Sequence, residues 1–168
     1  MESGNVVAPG QWTNFTDAVV AFLDYARAHY GAEAEGFSLN EPDAGISIAV
    51  ASNDYPRAVR QLGRAIREQG LRTRLLLGDV SHPRDSASAY LDQAAADPLA
   101  LREVGWVSFH SWLGATADEY AAWSELAGRL RLPLVVAEAG VDPDWWRVPA
   151  KRHDYAMAEM AQYFAMLE

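Results

Sequence analysis

The chain has 168 residues, half of them hydrophobic, enough for one domain with a substantial core. Fourteen Lys and Arg against twenty-three Asp and Glu leave a formal charge of -9, which argues against nucleic acid or an anionic membrane as partner and suits a neutral ligand. The absence of Cys excludes disulfides, thiolate metal sites and Cys nucleophiles.

No apolar stretch approaches the roughly 20 residues of a membrane span, so no membrane partner is expected. The N-terminal run Met1-Glu2-Ser3-Gly4-Asn5 has neither a basic n-region nor an apolar h-region, so no signal peptide is visible. The compartment stays open: cytoplasmic, or secreted if the true N-terminus lies upstream.

In chain order, Phe15, Val19, Phe22, Leu23 and Ala26 recur at helical spacing and predict a helix to Tyr30, with Asn14 or Thr16 as N-cap and Gly31 as its end. The apolar run Gly36–Glu41 predicts a strand. Ser52-Asn53-Asp54 then caps a second helix with Pro56 in its first turn, Tyr55, Val59, Leu62 and Ile66 on one face, and Gly70 at its end. Thr73–Asp79 predicts a second strand, followed by a polar loop through His82 and Pro83. A short helix over Ser86–Ala96 stops before Pro98.

Val104–His110 is the third predicted strand. Thr116-Ala117-Asp118-Glu119 has the capping-box pattern and opens a helix with Tyr120, Trp123, Leu126 and Leu130 at core spacing. Pro133–Glu138 is the fourth strand. The last helix starts near Asp154, with Met157, Met160, Ala161, Phe164 and Leu167 expected on its buried face.

A helix followed by four strand–helix units predicts an α/β domain with a parallel sheet covered by helices. Polar or ionisable residues end successive strands: Glu41, Asp79, His110 and Glu138. Strand ends converging on one site favour a (β/α)8 barrel over an open sheet with a single switch point. A full barrel takes about 250 residues, so only part of one is expected.

Asn40-Glu41-Pro42 after one strand, with Glu138 ending a later one, resembles the large clan of retaining (β/α)8 glycoside hydrolases. That clan carries its acid/base Glu in an Asn-Glu-Pro motif after the fourth strand and its nucleophile Glu after the seventh. With Gly36–Glu41 as the fourth strand, Pro133–Glu138 falls on the seventh. The resemblance implies a partial (β/α)8 barrel, strands 4–7 with flanking helices. Residues 1–168 would form a single domain lacking strands 1–3 and 8. It also implies that Glu41 is the acid/base, that Glu138 is the nucleophile, and that Asn40 binds the sugar 2-hydroxyl.

A glycosidase of this type acts on the O-glycosidic bonds of an oligo- or polysaccharide or glycoconjugate, and no cofactor or metal is expected for it. By alternation, Leu134, Val136 and Glu138 would share one strand face, with Leu134 and Val136 filling the barrel interior. His110 is a partner for Glu138 or the sugar, or else a buried His satisfied by a carbonyl. Asp79 and His82 orient substrate or support the carboxylates, or else cap a loop. Trp112 and Trp145 fall in loops where an indole can stack on a sugar face, Trp112 being the better platform. Trp123 and Trp106 belong to a helix face and mid-strand.

Plain alternatives stay open. Asn-Glu-Pro is also turn chemistry, in which Pro42 holds Glu41 extended. Glu41, Asp79, His110 and Glu138 would equally suit Mg2+ or Mn2+ in a metal-dependent isomerase or lyase barrel. A non-catalytic carbohydrate-binding half-barrel is the third possibility. In every case the open sheet edges invite self-association, and the isolated chain is expected to have weak activity or none.

Overall fold

The computed structural model of the chain describes residues 5–8, 10–84, 87–112, 114–141 and 147–167. Helix α1 (Trp12–Tyr30) precedes strand β1 (Gly36–Phe37), which leads to α2 (Tyr55–Glu68) and β2 (Arg74–Val80). Then come α3 (Ser88–Ala95), α4 (Pro98–Leu101) and β3 (Val104–Trp112). Helix α5 (Ala117–Leu130), β4 (Leu134–Gly140), a 3-10 turn (Pro149–Lys151) and α6 (Arg152–Leu167) complete it. The strands pair in parallel in the order β1-β2-β3-β4, so the fold is α/β with a curled half-barrel sheet flanked by helices.

Local chemistry accounts for several boundaries. Gly31 ends α1 in the left-handed region at φ +62°. Thr116 starts α5 with a reciprocal capping box: its Oγ1 accepts from Glu119 N, and Glu119 Oε2 accepts from Thr116 N. Asp97 caps α4 by accepting from the backbone of Leu99 and Ala100, so the chain turns helical again at Pro98 rather than stopping there. Other caps differ from expectation. Helix α1 starts earlier than its pattern suggests, at Trp12 after Gln11 in the N-cap position, and Thr16 lies inside it, buried, with no partner for its hydroxyl among the described residues. Asp54 flanks α2 without a side-chain capping bond.

The core lies between the convex sheet face and the helices. Tyr55, Val59, Leu62 and Ile66 of α2 are all buried there, against Leu75 and Leu77 of β2 and Val107 and Phe109 of β3. Each such side chain stabilises the fold by roughly 1.5–3 kcal/mol. Trp123 meets Phe109 edge-on, with ring centroids 5.2 Å apart. The concave face carries Gly36, Leu76, Trp106 and Val135, which line a small hollow and stay half-exposed.

Two expectations about faces fail. Leu134 and Val136 line a cavity of about 520 Å3 with Phe109, Tyr120 and Ala165, so they look toward α5 and α6 and not into the curl. On α6, Met157, Met160, Phe164 and Leu167 are exposed, while Tyr155 and Gln162 are buried. Gln162 donates from Nε2 to the carbonyl and Oγ of Ser111, a polar anchor on the buried face, while its Oε1 is buried without a partner among the described residues.

Candidate active site

All the sequence-predicted polar strand ends lie at the C-terminal edge of the sheet, and backbone irregularities aim them. At β2 the pairing with β3 slips between Gly78 and Val80, where Gly78 has φ +92° and Asp79 φ +49°. At β4 the register places Val136 opposite Phe109 but Glu138 opposite His110, so Ala137 is an extra residue on β4. Such bulges re-aim side chains beside functional sites. This one corrects the simple alternation: Val136 faces the helices, and Glu138, two residues later, reaches the site.

The loop after β1 is shorter in strand and more contorted than its apolar pattern predicts. Asn40 and Glu41 both adopt positive φ, +40° and +49°. Asn tolerates that region, whereas Glu seldom visits it. Pro42 therefore does not hold Glu41 extended. The conformation is over-determined by bonds: Asn40 N donates to Ser38 Oγ at 2.7 Å and Glu41 N to the Asp79 carbonyl at 2.8 Å.

His110 occupies the centre and is only 1% exposed. Its Nδ1 lies 2.9 Å from Glu41 Oε1 and 3.6 Å from Glu138 Oε2, and its Nε2 lies 3.4 Å from Asp79 Oδ1. Asp79 is itself buried, with Oδ1 accepting from Ser108 Oγ at 2.5 Å and Oδ2 from Ser38 Oγ. Burial favours a protonated Asp79, but the His110 ring at 3.4 Å and the hydrogen bonds from Ser108 and Ser38 outweigh it and hold the carboxyl below its ordinary value. Burial likewise disfavours charge on His110, and Asp79, Glu41 and Glu138 together overcome that and raise its pKa.

Glu41 is buried, whereas Glu138, on the free edge strand, has a side chain 46% exposed. An oxygen of each and a nitrogen of His110 lie within 4.8 Å of one another. That spacing would also admit a divalent cation. Asp79 stands outside this trio, however, committed to two serine hydroxyls.

The other expected residues fall around this centre. Trp112 ends β3 on the rim, 37% exposed, with its indole over Gly140, where an added Cβ would come within 3.2 Å of the ring. Asn40 does not meet the carboxylates through its side chain; its Nδ2 lies 3.4 Å from Ser47 Oγ. His82 bonds the Gly114 carbonyl through Nε2 at 2.6 Å, joining two rim loops instead of supporting a carboxylate. Trp145 lies outside the described residues.

Three partners escaped sequence reasoning. Ser38 and Ser108 supply hydroxyls to Asp79, and Tyr55 brackets the bulge, accepting from Gly78 N at 2.8 Å and donating to Gly78 O at 3.3 Å. The one available signal was a Ser embedded in each apolar strand run, Phe37-Ser38-Leu39 and Val107-Ser108-Phe109.

No protein-family model matches the chain, and no curated protein matches it in sequence. Among solved structures, SrfJ from Salmonella typhimurium is similar over 96% of this chain, with a TM-score of 0.69 and 18% identity. The match covers 38% of SrfJ, so the chain spans well under half of that protein's length. At this identity the likeness establishes a shared fold and nothing more.

Proposed function

We propose that the chain is the catalytic portion of a retaining (β/α)8 glycoside hydrolase, corresponding to strands 4–7 of the barrel. The observation that supports this best is the approach of Glu41 and Glu138 oxygens to within 4.8 Å from opposite edges of the sheet. Retaining glycosidases hold their carboxyl groups about 5–5.5 Å apart, whereas inverting ones leave roughly 6.5–9.5 Å for a water. Glu41, buried against His110, is the acid/base; Glu138, more open to solvent, attacks the anomeric carbon. Trp112 offers a stacking surface beside them, and Asn40 reaches the 2-hydroxyl after turning from Ser47. The substrate class is an O-linked oligo- or polysaccharide or glycoconjugate.

The test is the anomeric configuration of the first product, followed by proton NMR with a panel of dinitrophenyl glycosides. Net retention is expected, together with a covalent adduct on Glu138 when a 2-fluoro glycoside is used. Inversion, or labelling elsewhere, overturns the reading. The trio Glu41, His110 and Glu138 keeps one rival alive, a divalent-metal-dependent isomerase or lyase. Activity abolished by chelator and restored by Mn2+ would favour that rival.

A further inference from the structure

We propose that Asp79 is a positioning residue that locks the tautomer of His110, so that the acid/base proton is shared between Glu41 Oε1 and His110 Nδ1 and returns to Glu41 after each transfer. The chemical consequence rests on the glycosidase reading; the tautomer lock does not.

The donor directions carry the argument. Ser38 Oγ accepts the Asn40 N–H, so its own hydrogen goes to Asp79 Oδ2. Ser108 Oγ donates to Oδ1, an ionisable oxygen with no other hydroxyl on it among the described residues. Asp79 thus accepts on both oxygens, its carboxyl is held below its ordinary pKa, and it faces His110 Nε2 at 3.4 Å as a carboxylate toward which Nε2 keeps its proton. Nδ1 is left to face Glu41 at 2.9 Å and Glu138 at 3.6 Å. One proton occupies the Nδ1–Glu41 contact, on one atom or the other.

The groups that face His110 are Glu41 from the loop after β1, Asp79 from β2 and Glu138 from β4. Tyr55 of α2 stands behind Asp79, at Gly78, and burial pushes its phenol up so that it stays neutral. Among the described residues, α5 and α6 bring the uncharged Tyr120 and Gln162 to the adjacent Ser111, and Glu159 of α6 stands farther out, with Oε1 3.9 Å from where a Cβ on Gly140 would lie.

The cycle then balances. As Glu138 donates an electron pair to the anomeric carbon, the bond to the leaving oxygen breaks and that oxygen takes the Glu41 proton. A Glu41 carboxylate and an Nδ1 lone pair now confront each other, two acceptors with nothing between them. This repulsion raises the basicity of Glu41. In the second step water adds to the anomeric carbon, its proton goes to Glu41, and Glu138 departs as carboxylate. The shared contact is restored.

The experiment is a two-bond 15N–1H correlation series across pH on protein labelled in its imidazoles, for wild type and Asp79→Asn. In wild type, His110 is expected to keep Nε2 protonated throughout and to titrate at Nδ1. In Asp79→Asn the amide donates to Nε2 and the neutral ring shifts to the Nδ1–H form. A wild-type ring protonated on Nδ1 when neutral overturns the proposal without any variant, so misfolding of Asp79→Asn does not shield it. An unchanged tautomer in a folded Asp79→Asn also overturns it. The kinetic arm is a loss at least tenfold larger on alkyl glycosides than on dinitrophenyl glycosides, because only the former need the acid. A tautomer shift in a full-length barrel that carries this portion and has no glycosidase activity leaves the lock standing and removes the glycosidase reading.

Discussion

Glu41 Oε1 and His110 Nδ1 meet at 2.9 Å although 69 residues separate them in the chain. The contact joins the loop after β1 to the end of β3 across the intervening β2, and Asp79 of β2 anchors the far side of the ring. A carboxyl held this way has a defined proton partner, while Glu138, at the free edge, is nearly half exposed and meets His110 only at 3.6 Å. Different environments for two carboxylates separate an acid from a nucleophile.

Removing each carboxylate should therefore have a different signature. In a full-length barrel that carries this portion, Glu138→Ala is expected to abolish the glycosyl-enzyme, read by mass spectrometry after reaction with a 2-fluoro glycoside. Glu41→Ala should lower kcat/KM on the order of 10²–10⁴-fold for poor leaving groups and far less for dinitrophenol. Full activity in Glu138→Ala would sink the assignment.

Stability should be bounded on both sides in pH by the buried Asp79–His110 pair. The Asp79 carboxyl lies below its ordinary value of 3.8, so its contribution is complete above that value and is lost as pH falls through the lower folded one. The His110 pKa lies above its ordinary 6.5, so its contribution is complete below that value and fades as pH rises through the raised folded one. Urea midpoints should thus be highest from about pH 4 to 6.5 and decline on the alkaline side. In His110→Gln the alkaline decline should vanish. A midpoint that climbs from pH 6.5 to 9 in wild type would contradict the pairing.

Much of this architecture was legible because its causes are local. The capping box Thr116–Glu119 involves residues three apart, and it starts α5 where the pattern puts it. The apolar face of α2 is equally local, and Tyr55, Val59, Leu62 and Ile66 all reach the core. The non-local features were hidden. Nothing in Gly36–Glu41 announces that Ser38 and Glu41 will bond to Asp79, so β1 shortens to two residues. The extra residue Ala137 is invisible until β4 pairs with β3. The Met and Phe stripe of α6 has ideal helical spacing, but which face is buried depends on Ser111, fifty-one residues earlier.

Tyr55→Phe tests the scaffold beneath the site. The phenol oxygen both accepts from and donates to Gly78 in a fully buried setting. Its removal leaves a buried N–H unsatisfied at a cost of about 1–3 kcal/mol. Chemical denaturation should register that loss, and Asp79 should be less well placed in consequence, lowering kcat as well. An unchanged denaturation midpoint would show that water replaces the hydroxyl.

Self-association follows from what the sheet and α6 leave open. Among the described residues, neither β1 nor β4 has a partner on its outer side in the four-strand sheet, and unpaired parallel edges recruit further strands. Met157, Met160, Phe164 and Leu167 add an exposed apolar stripe at positions i, i+3, i+7 and i+10 along α6, beside β4. The 168-residue chain by itself should sediment as oligomers, and the double substitution Met160→Glu and Phe164→Glu should shift it toward monomer with its helical circular dichroism intact. Weak activity or none is expected in either form, because Glu138 is solvated at an open edge where water screens the charges that the chemistry needs. A monodisperse monomer that turned over glycosides at ordinary enzymatic rates would contradict both statements, since it would mean that four strands alone exclude enough water to separate the roles of Glu41 and Glu138.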